Sequence, residues 1–278
     1  MASSDEKSLA VGHISGFQID PNFFSGISNP FYAVTFRQDV TELRNYCRER
    51  KISFYYGLIY LCCKALQDVP AFACRIRGEN VVELGEQKPS FTDLKKGSEL
   101  FHIVTMPCEG SIAEFCERAR EVSGKQDCFI DMAGQADDLI YSSCLPWMDV
   151  TAVTNERELL APNARDDSIP RICWGKYILE NDRVYLGISV EVNHRLIDGV
   201  HIGRFAEALT RRIQALKWNE ASAIIDRRRL TVYLQNSVIA AWANCAVPAP
   251  PAASMFSVML SPAMYICPRL CRISLVQV

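Results

Sequence analysis

Three residues near the end of the chain's well-patterned part, His194, Asp198 and Gly199, have the types and spacing needed to move a proton. An imidazole titrates near neutrality and can take a proton from an alcohol, which at that pH is a poor nucleophile on its own. Asp198-Gly199 follows four residues on, and Asp-Gly is both a turn signal and a helix opener. A lone His at a strand end is ordinarily a structural side chain. Here the fixed interval to Asp-Gly makes His194 a candidate base.

The elements that must position these residues follow from periodicity. Leu186, Ile188, Val190 and Val192 alternate with Gly187, Ser189, Glu191 and Asn193, the pattern of a half-buried strand that carries His194 at its end in phase with the apolar face. Ile202, Phe205, Ala206, Leu209, Ile213 and Leu216 then recur at helical spacing. A strand, a short loop and a helix can therefore present a base at a cleft.

The interval His194 to Gly199 matches the His-x-x-x-Asp-Gly signature of the coenzyme-A-dependent acyltransferases, and further segments narrow the resemblance. Tyr141-Ser-Ser-Cys-Leu-Pro-Trp147 resembles the Ser-x-Leu-Pro-Trp segment of type A chloramphenicol acetyltransferases. Asp39-Val-Thr-Glu-Leu43 is similar to the opening of their first helix, residues 180–190 to their hairpin before the catalytic strand, and Gly199-Val-His-Ile-Gly-Arg-Phe205 to the helix after it. The resemblance runs in order over residues 16–218.

That resemblance implies an α+β fold, a two-layer sandwich of a mixed β-sheet with helices on one face. It implies an acetyl-CoA-dependent O-acetyltransferase acting on chloramphenicol or a similar hydroxylated small molecule, with acetyl-CoA as co-substrate and a homotrimer as the assembly. By the same carry-over, His194 is the general base, acting without an acyl-enzyme. Asp198 organises the loop in partnership with an N-terminal Arg. Gly199 leaves room for a tight turn and for the cofactor. Phe24 and Tyr32 line the acceptor pocket, where ordinary core aromatics are an equal alternative, and His102 sits beside Phe101 in a strand whose family counterpart carries pocket aromatics. His201, early in the helix, is expected to face solvent or the cofactor channel.

Two departures stand out. Residues 16–20, Gly-Phe-Gln-Ile-Asp, contain no Arg to pair with Asp198, leaving Arg195 and Arg204 as neighbours in sequence. The position of the family's oxyanion-stabilising hydroxyl is Ala152, flanked by Thr151 and Thr154, so Thr151 is the substitute donor, and losing one such donor costs about 100-fold in rate. A non-catalytic scaffold of the same fold, and an acyltransferase of the dihydrolipoamide type, therefore stay open beside the first reading.

The remaining pattern fits an enzyme of this kind. Strands are expected at 32–36, 74–77, 81–84, 90–93, 101–105, 139–144, 171–179 and 184–194. Helices are expected at 40–50 with Asp39 as cap, 54–66 with Ser53 as cap, 111–123, and from Asp198 to about 218. With 278 residues, 49% of them apolar, the chain can bury a large core. A net charge of −2 supplies no broad basic field, so neither nucleic acid nor an anionic membrane is an expected partner. Twelve cysteines are scattered without metal-type spacing, so no metal site is expected, and reduced thiols in a cytoplasmic protein are the reading. The first residues lack the pattern of a signal peptide. Residues 1–15 form a polar N-terminal tail with an entry strand, 16–218 the acyltransferase domain, and 219–278 an extension of different composition. Beyond Ala223 there is no Lys, Glu or Gly, and a Pro248-Ala-Pro-Pro251 run interrupts apolar residues. Translation past a native stop or in a shifted frame is the first explanation for it, a membrane-associated hairpin the second.

Overall fold

A computed structural model describes residues 7–9, 24, 26–95 and 97–217, all within the compact unit Met1–Glu220. The expected extension at 219–278, three of the cysteines and the segment 16–20 lie outside the described residues. Within the expected tail, Lys7–Leu9 forms strand β1.

The element order is β2 (Phe31–Asp39), α1 (Thr41–Arg50), α2 (Phe54–Gln67), β3 (Cys74–Arg77), β4 (Asn80–Glu83), β5 (Lys88–Leu94), β6 (Phe101–Thr105), α3 (Ile112–Lys125), β7 (Leu139–Leu145), β8 (Arg171–Gly175), β9 (Ile178–Glu180), β10 (Arg183–Asn193) and α4, residues 199–217. The main sheet runs β2-β10-β8-β7-β5-β6, with β9 added to β10, and a small sheet runs β1-β4-β3. β7 is parallel to both β5 and β8, while β10 is antiparallel to β2, β8 and β9, so the sheet is mixed.

Local chemistry explains the boundaries. The Ser53 hydroxyl accepts from the Tyr56 N–H and opens α2. Ser111 and Glu114 form a reciprocal capping box at α3. Asp39 Oδ1 accepts the Thr41 N–H and hydroxyl, so it supports the start of α1, which begins one residue later than the pattern predicts. The strand predicted over 171–179 is two strands, because the Lys176 N–H leaves the ladder for Met148 O at 2.7 Å. β9 then returns into β10 through Asn181 and Asp182, both at positive φ, as a tight right-twisted hairpin requires.

One face of β10 presents Leu186, Ile188, Val190 and Val192, each no more than 1% exposed, to the core built with α1, α2, α3 and α4. Phe205 of α4 meets Phe36 and Phe72 edge-on or tilted there. The other face of β10 is not the solvent face that alternation predicts. Ser189, Glu191 and Asn193 are buried as well, under the segment 146–170. That segment lies flat on the sheet because a Cβ on Gly175 would stand 2.6 Å from Met148 O, and one on Gly187 would stand 2.3 Å from Val150 O. Seven of the nine described cysteines are buried and all nine are free thiols. No helix among the described residues is long and apolar enough to cross a membrane.

Candidate active site

His194 is the first residue beyond β10, and its backbone N–H donates to Pro30 O at 2.8 Å, which ties the turn to the start of edge strand β2. Its ring stacks on Phe24 with centroids 4.0 Å apart and leans against Tyr32 at 4.3 Å. The Tyr32 hydroxyl donates to Ile197 O, and burial, then the nearby Asp198 carboxylate, push its pKa up to about 12. Tyr32 is thus a neutral wall and donor at neutral pH.

Asp198 Oδ1 lies 3.6 Å from His194 Nε2 and accepts the Gly199 N–H at 2.6 Å. Arg195 is not its partner: that guanidinium pairs with Asp166 at 2.6 Å. Gly199 opens α4 without positive φ, and a Cβ there would meet nothing within 4 Å, so the tight turn expected of it is not what glycine serves. His201, expected to face either solvent or the cofactor channel, is 5% exposed and does not face solvent, because α4 turns it inward against the Asp-Gly turn. Its Nδ1 accepts the Asp198 N–H at 2.9 Å, and burial, then Arg204, hold its pKa below the ordinary imidazole value.

Sequence reasoning missed what holds the turn from below. Asn193, 2% exposed, donates from Nδ2 to Arg165 O and Asp167 O at 2.8 and 3.0 Å, and its Oδ1 accepts the Arg195 N–H at 3.0 Å. Two residues earlier, Glu191 pairs with Arg157, which also pairs with Asp167 and lies over the Phe31 ring. No local signal marked it, because a polar phase of Ser189, Glu191 and Asn193 reads as a solvent face until another segment covers it.

His194, Asp198, Gly199, Phe24 and Tyr32 thus come together, and two other expected residues lie elsewhere. His102 is 2% exposed, with Nε2 3.0 Å from Ser123 Oγ, whose hydroxyl donates to Asp93. Strand alternation sends His102 inward and leaves its neighbour Phe101 on a cavity. That cavity, about 640 Å³, is walled by Phe54, Tyr55, Trp147, Trp174 and Tyr177, with Lys176 the one cation among its lining residues. Thr151 is exposed on the covering segment, beside Gly187. Trp174 pairs with Ile188, six residues from His194, so at about 3.3 Å per residue the cavity lies roughly 20 Å along the strand from the imidazole of the same chain. Among the described residues there is no cluster of three or more His, Cys, Asp or Glu side chains able to hold a metal.

A mixed sheet backed by helices, with a His-x-x-x-Asp-Gly turn at the end of its longest strand, defines a coenzyme-A-dependent acyltransferase fold. Solved structures agree: a chloramphenicol acetyltransferase superposes with a TM-score of 0.65 at 20% identity, covering 74% of this chain and 98% of that one. The dihydrolipoamide acetyltransferase of Azotobacter vinelandii superposes with a TM-score of 0.56 at 16% identity, covering 70% and 86%. The chloramphenicol acetyltransferase family profile matches residues 21–210, and the chain belongs to that family. Among relatives, the chloramphenicol acetyltransferase of Bacillus pumilus is 26% identical over 69% of this chain and 90% of its own length. Chloramphenicol acetyltransferase 3 of Escherichia coli is 25% identical over 64% and 83%.

Proposed function

We propose that this enzyme transfers acetyl from acetyl-CoA to a hydroxyl of chloramphenicol or a similar small molecule, with His194 as general base. The observation that carries this reading is the imidazole held between Phe24, Tyr32 and the Asp198 carboxylate at the sheet's end. The acceptor's hydroxyl proton passes to His194 as its oxygen attacks the thioester carbonyl. Collapse of the tetrahedral intermediate returns that proton from the imidazolium to the departing CoA thiolate. Asp198, 3.6 Å away, stabilises the imidazolium in between.

The separation along β10 supports a site shared between copies: the base of one chain meets the cavity and Thr151 of the next. A contact between two different patches repeats head to tail and closes into a ring, for which three copies is the number that the family resemblance implies. In that assembly the apolar cavity receives the pantetheine arm and acceptor, Lys176 is suited to a CoA phosphate, and Thr151 is the oxyanion donor that Ala152 cannot be. Gly199, with open space around it, allows the cofactor a close approach. Phe101, rather than the inward-turned His102, lines the apolar cavity. The reading includes a cytoplasmic location and a role in antibiotic resistance.

Purified protein incubated with acetyl-CoA and chloramphenicol should release free thiol, and His194→Ala should lower kcat by about 100-fold to 10,000-fold. Release that survives His194→Ala rejects the base. No release with any amphenicol rejects the acceptor and favours the scaffold or dihydrolipoamide alternative.

A further inference from the structure

α4 begins with a cap of unusual composition. With Asp198 at the N-cap, His201 is the third helical residue, and the two are bonded reciprocally: the His201 N–H donates to Asp198 O at 2.9 Å, and the Asp198 N–H donates to His201 Nδ1 at 2.9 Å. In a capping box the side chain at this third position accepts the N-cap N–H, and it is normally a Glu or Gln. The same chain has the usual form at α3, where Glu114 Oε2 accepts the Ser111 N–H at 2.7 Å. At α4 an imidazole takes the carboxylate's place.

The substitution matters because of what stands next to it. Asp198 already puts one carboxylate 3.6 Å from His194 Nε2. A Glu at position 201 would bring a second negative charge to the same turn, and both would hold a proton on the base that must give it up to the thiolate. A neutral imidazole satisfies the Asp198 N–H without adding charge. To accept at Nδ1 the ring must carry its one proton on Nε2. Burial and Arg204 favour that neutral form, while Asp198 opposes it.

We infer that His201 is a positioning residue for the candidate base: as a neutral imidazole accepting the Asp198 N–H, it holds the Asp198 carboxylate against His194 while keeping a second anion away from it. This rests on the reading of His194 as the base, and it makes one prediction that does not need turnover. The titration midpoint of His194, followed by NMR in the full chain, should respond to residue 201. In His201→Asn the amide oxygen stands where Nδ1 stood, and the midpoint should stay within about 0.3 of the parent's. His201→Glu should raise it by about 0.5 to 1, because a nearby anion favours the imidazolium. His201→Phe fills the space but accepts nothing, so the freed turn carries Asp198 away and the midpoint falls.

In the thiol-release assay, His201→Phe should lower kcat about 10-fold or more with KM for acetyl-CoA within about twofold, and His201→Asn should restore most of it. A His194 midpoint equal in all three variants overturns the inference, as does His201→Asn titrating and turning over like His201→Phe. Should the parent release no thiol from any alcohol, the proposed function fails, while the three midpoints still decide the role of His201.

Discussion

Replacing Asn193 by Asp changes one NH2 group to an oxygen and almost nothing in volume, so its effect isolates the bonds beneath the His194 turn. The amide donates two bonds, to Arg165 O and Asp167 O, and accepts one from the Arg195 N–H. A carboxylate keeps the third bond and faces two carbonyls with a charged acceptor. Each buried carbonyl left without its donor costs about 1–3 kcal/mol, so the ionised variant should be about 4 kcal/mol less stable than the parent. Protonation gives one O–H back to one carbonyl and removes the repulsion. The introduced carboxyl therefore has a folded pKa raised above its unfolded value near 4. A raised folded pKa means the folded state holds the proton more tightly. The deficit is then small near the unfolded value and grows as pH rises through the folded one. Urea unfolding of Asn193→Asp and parent at pH 5 and pH 7.5 measures this directly. The deficit should be larger at pH 7.5, and kcat at that pH should fall about 10-fold or more because the base is misplaced. Equal stability at pH 7.5, or a deficit that shrinks as pH rises, would refute the assigned bonds.

Two further outcomes follow from other parts of the fold. Arg75, 1% exposed, satisfies its guanidinium with the carbonyls of Phe72, Cys74, Asp137 and Leu139, and burial lowers its pKa to about 10. Arg75→Met should therefore destabilise by about 3–5 kcal/mol in the same unfolding assay, four carbonyls losing their donor at once, and a loss below about 1 kcal/mol would show that water replaces it. Gly187→Ala would place a methyl 2.3 Å from Val150 O and lift the covering segment, so limited proteolysis should cut within residues 146–170 faster than in the parent. An unchanged cleavage rate would mean that the segment is not pressed onto the strand.

How much of this was legible in the sequence depended on the range of the interaction. The cap at Ser53, the 74–83 hairpin and the helical stripe of α4 are local, since each is decided by residues within a few positions of one another, and these elements stand where periodicity and turn chemistry put them. The motif residues were equally readable, because His194, Asp198 and Gly199 share one turn whose reach is set by chain spacing alone. Tertiary contacts decided the rest. Alternation left Ser189, Glu191 and Asn193 facing water, and only a segment 20 to 40 residues earlier in the chain, admitted by Gly175 and Gly187, made that face an interior one. His102 turned inward for the same kind of reason, its partner Ser123 arriving from α3. The roughly 20 Å between the imidazole and the aromatic cavity is a property of strand order, because antiparallel pairing carries Trp174 away from the end of β10 that delivers His194. Periodicity can tell which face a side chain takes, but which other segment covers that face is settled by long-range packing.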